Sequence, residues 1–254
     1  ELIDACPNLK VIARGGVGMD NIDVDYARSK GIAVINTPAA STRSVAELAM
    51  SHIYALSRNI HRSKKEMSAA DADFKGLKSG YSKGTELAGK TLGIIGFGRI
   101  GQEVAKLAMG SNMRILPYDP YVEETELKFN IFGNDNLNLA VKVNTVDKEY
   151  VIKNSDFITL HLPFADGKPI IGAEEIAKMK NGVVLINTAR GGAINEDALM
   201  EGLASGKIYG AGLDVFDNEP HPRRDILDHP MISLTPHIGG STKEAQMKIG
   251  IELA

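Results

Sequence analysis

The sequence predicts an α/β protein built on a doubly wound parallel sheet, and three observations carry the prediction. Apolar runs bounded by Gly, Pro or Asp recur at LKVIARGG, IAVINTP, TLGIIGFG, MRILPYD, DFITLHLP, GVVLINTARGG, IYGAGLDVF and MISLTPH. They are short and apolar on both parities, as strands covered on two faces must be. Helix-like stretches separate most of them, for example Ile100 to Ala108, Glu174 to Met179 and Glu196 to Ala204. Strand and helix in alternation is the pattern of parallel strands joined by crossovers. Finally, 254 residues with 43% hydrophobic and 24% charged side chains have an ordinary globular balance and can fill one or two domains.

The same composition excludes several classes of partner. A formal charge of −3 and a pI near 6.1 provide no basic field for a polyphosphate backbone or an anionic membrane surface. No apolar run approaches the ~18 residues of a spanning helix, and ELIDACP lacks the basic-then-apolar order of an export signal. Nucleic acid and membrane are therefore not expected. A lone cysteine, Cys6, cannot close an intramolecular disulfide or build a thiolate metal site, so no metal is expected and the chain reads as cytoplasmic. It begins at Glu1 and ends in IELA, and so reads as a piece of a longer protein.

Along the chain, Ser44 and Glu47 have capping-box spacing, and a long helix is expected from there to about Met67. Val45, Leu48, Ala49, Ile53, Leu56 and Ile60 form its apolar stripe, while Arg43, Glu47, Arg58 and Arg62 lie largely off it. The run AADADFKGLKSGYSKGTELAG from Ala69 to Gly89 reads as a loop before a new unit. This places a domain boundary there and divides the chain into 1–72, 73–236 and a closing helix in 237–254. Residues Glu123 to Lys153 show no clear period and receive no assignment. No repeat of fixed period is present.

Thr91 to Gly101, TLGIIGFGRIG, carries GxGxxG at Gly96, Gly98 and Gly101, directly after an apolar strand and directly before a helix. The three glycines serve a tight turn, a close approach of backbone to pyrophosphate, and close packing of helix on strand. The helix N-terminus offers unpaired N–H groups and partial positive charge to the phosphates. A second strand, MRILPYD, ends in Asp119, 18 residues beyond the last glycine, where an acid accepts both ribose hydroxyls. Pro120 and Tyr121 follow it rather than a cation. A carboxylate there would repel a 2′-phosphate, so NAD is expected over NADP.

Hydride chemistry at a carbinol needs an acid/base at the oxygen and a cation for a substrate anion. Of six histidines, His52 and His61 read as helix-face residues, and His221 and His229 as exposed loop residues. His161 ends a strand at the carboxyl edge of the sheet, where ligands bind in such folds, and is expected to touch cofactor rather than move protons. His237 also ends a strand, in LTPHIGGST, with Gly239 and Gly240 leaving backbone room beside it. Two further strands end in INTARGG, which places Arg190, and GLDVFDNEP, which places Asp214 and Glu219. An arginine there can clamp a carboxylate with a bidentate fork, and a carboxylate beside a histidine fixes its tautomer. Each residue alone would read as a surface ion pair, but their joint position on strand ends argues against that.

Together NTARGG, GLDVFDNEP, LTPHIGGST and ARGGVGMDNID resemble the signatures of the D-2-hydroxyacid dehydrogenase family, over Lys10 to about Gln246. Within it, KVIARGGVGMDNID, STRSVAEL and YDPYV are most similar to D-3-phosphoglycerate dehydrogenases. The resemblance implies a Rossmann dinucleotide domain with a smaller flavodoxin-like α/β substrate domain, here present in part. It makes His237 the acid/base, Glu219 its carboxylate partner, and Arg190 the ligand of the substrate carboxylate and carbonyl oxygen. The backbone of Val17 and Gly18 would add to carboxylate binding. Gly96, Phe97, Gly98, Arg99, Ile100, Gly101, Asp119, His161, Leu162, Pro163, Thr188, Ala189, Asp214, Gly239 and Gly240 would line NAD, with Val45 reaching the nicotinamide side.

The implied reaction is NAD-dependent interconversion of 3-phosphoglycerate and 3-phosphohydroxypyruvate, a step of serine biosynthesis, in a homodimer with an active cleft between domains. Two departures are visible. The Asn-rich stretch from Asn134 to Asn144 is longer than usual, and PFADGKPIIG replaces the common Thr-containing turn after HLP. Two other readings stand beside this one. A reductase of glyoxylate, hydroxypyruvate or another small 2-oxoacid keeps the chemistry. An NAD-sensing interaction protein similar to the C-terminal-binding-protein corepressors keeps only the scaffold.

Overall fold

A computed structural model describes residues 2–19, 21–130, 139–163 and 167–254. The chain divides into two compact units, one made of Glu1–Val45 with Ile238–Ala254, the other of Ala46–His237.

The smaller unit opens with α1 (Leu2–Ala5), β1 (Val11–Arg14), α2 (Val24–Ser29) and β2 (Ala33–Asn36). The two strands pair in parallel, Val11 opposite Ala33 through Arg14 opposite Asn36. Asp23 starts α2 by accepting the Tyr26 N–H on its side chain, the usual remedy for an orphan donor in a first turn. Past the strand ends, Gly16 and Thr37 bond reciprocally. The Gly16 N–H donates to the Thr37 hydroxyl at 2.8 Å, and the Thr37 N–H donates to the Gly16 carbonyl at 3.2 Å.

Helix α3 (Thr42–Ser57) begins two residues before the expected Ser44. The Ser44 hydroxyl does not cap the helix as a box would; it lies 2.7 Å from the Thr242 hydroxyl. The long helix expected to reach Met67 is two helices, because Asn59 takes a left-handed conformation with φ 57° and ends the first run before α4 (Ile60–Met67). Asparagine tolerates that region better than most residues. The break turns Ile60 out to solvent, so it is not part of the apolar stripe.

From Ala46 onward α3 belongs to the larger unit. Ala46, Ala49, Met50, Ile53 and Leu56 share one buried cluster with Leu92, Ile94, Val184 and Ile186 of the sheet. The expected boundary at 72/73 therefore falls inside this unit, since the apolar face of α3 is covered by strands far along the sequence. The segment read as loop contains α5 (Phe74–Gly80), started by the Asp73 side chain accepting the Lys75 N–H.

The larger unit then runs β3 (Thr91–Ile95), α6 (Arg99–Gly110), β4 (Arg114–Tyr118), β5 (Glu124–Phe129), β6 (Leu139–Asn144), α7 (Lys148–Asn154) and β7 (Phe157–Leu160). It continues with α8 (Ala173–Lys178), β8 (Val183–Asn187), α9 (Glu196–Ala204), β9 (Ile208–Leu213), α10 (Arg224–Asp228) and β10 (Ile232–Leu234). Helix α11 (Lys243–Leu253) belongs to the smaller unit and is capped by the Thr242 hydroxyl accepting the Ala245 N–H.

Six strands form one parallel sheet in the order β10-β9-β8-β7-β3-β4. The winding reverses between β3 and β7, and the region outside the carboxyl ends of strands at such a reversal is the usual ligand position in these sheets. Alternate residues serve opposite faces. Val184 and Ile186 join α3 and α6, whereas Val183 and Leu185 join α7, α8 and α9. The stretch without a sequence assignment supplies α7 and a separate antiparallel pair, β5 with β6, whose Leu127 and Val143 are buried. Of the Asn-rich run, 134–138 lies outside the described residues, as do 164–166 of PFADGKPIIG.

Leu185 is 1% exposed at the centre of the sheet. Leu185→Ala leaves a cavity between packed layers and is expected to cost about 2–5 kcal/mol in urea unfolding; a loss below about 1 kcal/mol would contradict the packing described.

Candidate functional site

The carboxyl edge of the six-stranded sheet gathers the polar residues. After β3, Gly96 has φ 100°, and its N–H donates to the Tyr118 carbonyl at 2.8 Å. A Cβ there would meet the His161 backbone at 2.6 Å, and a Cβ on Gly101 would meet the Gly96 carbonyl oxygen at 2.1 Å. Both positions demand glycine, one for conformation and contact, the other for the close approach of α6. A Cβ on Gly98, in contrast, would point into open space. Asp119 closes the turn from the neighbouring strand, its Oδ2 accepting the Phe97 N–H at 2.7 Å and its Oδ1 the Tyr121 N–H at 2.9 Å. A carboxylate offers about four lone-pair sites, so two acceptances leave capacity for hydroxyls.

His161, directly after β7, donates its backbone N–H to the Ile95 carbonyl at 2.8 Å. Its Nε2 lies 2.9 Å from the Thr159 hydroxyl, and its buried Nδ1 has no partner. Burial pushes the imidazole down to about 3, which keeps it neutral. After β8, Asn187 pins the next turn, its Oδ1 accepting the Ala189 N–H at 3.0 Å and its Nδ2 donating to the Arg190 carbonyl at 2.8 Å. The Thr188 hydroxyl is buried without a partner, and Arg190 Nη1 donates to the Ala189 carbonyl at 2.7 Å.

The best-defined pair lies past β9 and β10. Glu219 Oε1 accepts the Phe216 N–H at 3.0 Å, and its Oε2 lies 2.7 Å from His237 Nδ1. One carboxylate oxygen anchors the side chain and the other holds the imidazole. A carboxylate accepts, so Nδ1 carries the proton and Nε2 is the nitrogen at which a proton can be taken up or given. His237 has φ 53°, a left-handed conformation worth about 1–3 kcal/mol of strain. Its N–H holds that conformation by donating to the Asp214 carbonyl at 2.8 Å and the Thr235 carbonyl at 3.1 Å.

Thus Gly96 through Gly101, Asp119, His161 to Pro163, Thr188, Ala189, Arg190, Asp214, Glu219 and His237 all belong to the larger unit, at or just past its strand ends. Val17, Gly18, Val45, Gly239 and Gly240 belong to the smaller unit. There the Val17 carbonyl accepts from Asn36 Nδ2 at 2.8 Å and the Gly18 carbonyl from Arg14 Nε at 3.2 Å. No acceptor among the described residues meets the N–H of Val17 or Gly18.

Two histidines, His52 and His229, are more buried than their sequence reading implies. His52 lies on a helix face as expected, but on the buried one: it is 3% exposed, with Nδ1 2.9 Å from the Ser233 hydroxyl and Nε2 3.1 Å from the Thr235 hydroxyl. A signal was present, because 45, 49, 52 and 56 follow helical spacing and place His52 on the apolar stripe. His61 lies between the Ala55 and Pro230 carbonyls. His221 is exposed, as expected, and His229 is half-buried with Nδ1 accepting the Met231 N–H. Among the described residues no group of acids, histidines and cysteine is arranged to hold a metal, and no helix is long and apolar enough to cross a membrane.

The donor set fits a dinucleotide. An open glycine at a helix N-terminus suits a pyrophosphate, Asp119 suits ribose hydroxyls, and the unpartnered His161 Nδ1 and Thr188 Oγ1 are buried atoms that need a polar ligand.

Comparison with known proteins agrees. The family described as "D-isomer specific 2-hydroxyacid dehydrogenase, NAD binding domain" matches residues 50–239. A hydroxypyruvate reductase of Thermotoga maritima is 50% identical over all of this chain and 78% of its own length. A D-3-phosphoglycerate dehydrogenase of Methanocaldococcus jannaschii is 44% identical over all of this chain, which spans 46% of that protein. Among solved structures, a glyoxylate reductase from Paecilomyes thermophila superposes with a TM-score of 0.81 at 35% identity, covering 98% of this chain and 72% of that one. The chain belongs to the D-isomer-specific 2-hydroxyacid dehydrogenase family, NAD-binding oxidoreductases that act on CH–OH donors.

The two neutral buried imidazoles set a pH limit on stability. Burial lowers His52 from 6.5 to about 4 and His161 from 6.5 to about 3, so the unfolded chain binds protons that the folded chain refuses. Stability is full above pH ~6.5 and falls as pH drops from there towards 4, a window above most carboxylate titration. Chemical unfolding at a series of pH values is expected to show this slope without cofactor; a flat profile over the window would contradict it.

Proposed function

We propose that this chain interconverts a small D-2-hydroxyacid and its 2-oxoacid, and the observation that carries the reading is the His237–Glu219 pair beside the β8 turn that bears Arg190. Bound NAD supplies the hydride acceptor. In oxidation, His237 Nε2 takes the hydroxyl proton as hydride leaves C2, and Glu219 stabilises the imidazolium through Nδ1. Arg190 holds the carboxylate and polarises the forming carbonyl, with the Val17 and Gly18 N–H groups as further carboxylate donors. In reduction the protonated imidazole returns the proton, so rising pH favours oxidation and falling pH favours reduction.

For the cofactor, we assign the pyrophosphate to Gly96, Phe97, Gly98 and the first turn of α6 (Arg99, Ile100, Gly101), and the adenosine ribose to Asp119. His161, Leu162, Pro163, Thr188, Ala189 and Asp214 would line the remainder, and the family resemblance assigns Val45, Gly239 and Gly240 to the cofactor as well. A carboxylate accepting at Asp119 favours NAD over its 2′-phosphorylated form.

Hydroxypyruvate, reduced to D-glycerate, is the substrate we place first, because the hydroxypyruvate reductase relative is 50% identical over the full length of this chain. 3-Phosphohydroxypyruvate is the second reading, supported by the motifs ARGGVGMDNID, STRSVAEL and YDPYV and by the 44% identical phosphoglycerate dehydrogenase. The reading carries with it a cytoplasmic homodimer.

Two measurements test it. NADH consumption with hydroxypyruvate, glyoxylate and phosphohydroxypyruvate at equal concentration is expected to favour the first. A strong preference for the phosphorylated acid would instead select the second reading, and negligible turnover on all three with an NAD-dependent protein partner would point to a sensing role. His237→Gln is expected to lower kcat by about 10²–10⁴-fold, the usual worth of a positioned acid/base, while NADH still binds in a fluorescence titration. Near-normal turnover in that variant would contradict the assignment.

A further inference from the structure

A buried polar chain crosses from α3 to the strand ends of the larger unit. The Ser233 hydroxyl meets His52 Nδ1 at 2.9 Å, His52 Nε2 meets the Thr235 hydroxyl at 3.1 Å, and that hydroxyl donates to Asp214 Oδ1 at 2.6 Å. Its direction follows from proton counting. An ionised carboxylate only accepts, so Thr235 spends its one hydrogen on Asp214 and must accept from His52. Nε2 therefore carries the imidazole proton, and Nδ1 accepts from Ser233. The ring is neutral in this arrangement, in keeping with the effect of burial on it; the charged groups acting on it are Asp214, which favours protonation, and His61, which opposes it.

The fold makes room for this chain. A Cβ on Gly212 of β9 would meet His52 Cβ at 2.6 Å and Cγ at 2.9 Å, so the imidazole lies directly over the strand at a position only glycine leaves open. Asp214 follows two residues later, 1% exposed, with its N–H on the Asn187 carbonyl at 3.0 Å and its own carbonyl accepting the His237 N–H. The residue reached by the chain is thus also the backbone support of the proposed acid/base.

We propose that His52 is a positioning residue that, through the Thr235 hydroxyl, helps to orient the Asp214 carboxylate at the cofactor site. This rests on the preceding reading, in which Asp214 lines NAD. Without the Nε2–H, the Thr235 hydroxyl can rotate its hydrogen away from Asp214, and Oδ1 of the carboxylate loses that donor. A ring that served only packing would leave cofactor affinity untouched when replaced by an apolar side chain of similar size.

The test uses the full chain. NADH titration by fluorescence is expected to show His52→Leu and Thr235→Val each weakening binding roughly five- to tenfold, the worth of one hydrogen bond to a charged group. The double variant is expected to be no weaker than the weaker single one, since both cut the same chain. His52→Gln, which can present an N–H near the Nε2 position, is expected to return affinity to within about twofold of the parent. Unchanged NADH affinity in the folded single variants, or additive losses in the double, overturns the proposal. Should a variant fail to fold, ¹⁵N imidazole spectra of the parent chain without cofactor decide: a neutral Nε2–H tautomer of His52 is expected, and an Nδ1–H tautomer or an imidazolium near neutral pH overturns it. Failure of the wider reading is seen separately, as absence of turnover with every 2-oxoacid while NADH still binds.

Discussion

The chemistry of the larger unit depends on a set of backbone hydrogen bonds that extend the parallel ladder one step beyond the strands. Gly96 donates to Tyr118, His161 to Ile95, Asp214 to Asn187 and Thr235 to Leu213. Each residue that turns away from the sheet is held to the carbonyl that ends the strand beside it. Polar side chains thereby emerge in register along one edge, on rigid elements rather than on free loops. Precise placement of this kind is what acid/base and electrostatic catalysis require. The left-handed His237 is the extreme case, a strained backbone that two carbonyls hold in place.

Why these strands and not others is a matter of burial on two faces. Val183 and Leu185 face one helical layer, and Val184 and Ile186 face the other. Such runs were legible in the sequence because they are mainly apolar, and all eight appear as parallel strands, six in the large sheet and two, β1 and β2, paired with each other and largely exposed. The GxGxxG turn was equally plain, since Gly96 and Gly101 answer to contacts that no side chain could survive. What escaped was set by tertiary context. The left-handed Asn59 divides a continuous helical pattern, and α5 stands in a stretch rich in Gly and Ser because Asp73 caps it. The pair β5 and β6 contributes only Leu127 and Val143 as buried residues, too few to make a period visible.

The site shows the same division. The positions of Glu219, His237 and Arg190 past the strand ends were legible in the sequence because each follows an apolar run within a distinctive motif. The residues that steady them carried weaker signals. Asn187, which pins the turn before Arg190, ends an apolar run and looks like a strand terminator. His52 lies on the apolar stripe of its helix, and a histidine there is buried and bonded rather than displayed. Its partners Ser233 and Thr235 are small hydroxyls in a short strand, with nothing in their spacing to announce a shared imidazole. Sequence patterns reveal groups that meet solvent or ligand more readily than groups that meet one another inside the fold.

The central claim is direct hydride transfer between C2 of a D-2-hydroxyacid and the nicotinamide, with the proton handled by His237. Oxidation of D-glycerate deuterated at C2, with mass analysis of the recovered NADH and of the solvent, tests it most directly. The account predicts deuterium in NADH and none in water. Deuterium released to water would contradict direct transfer, and failure to form NADH from any D-2-hydroxyacid would contradict the function itself.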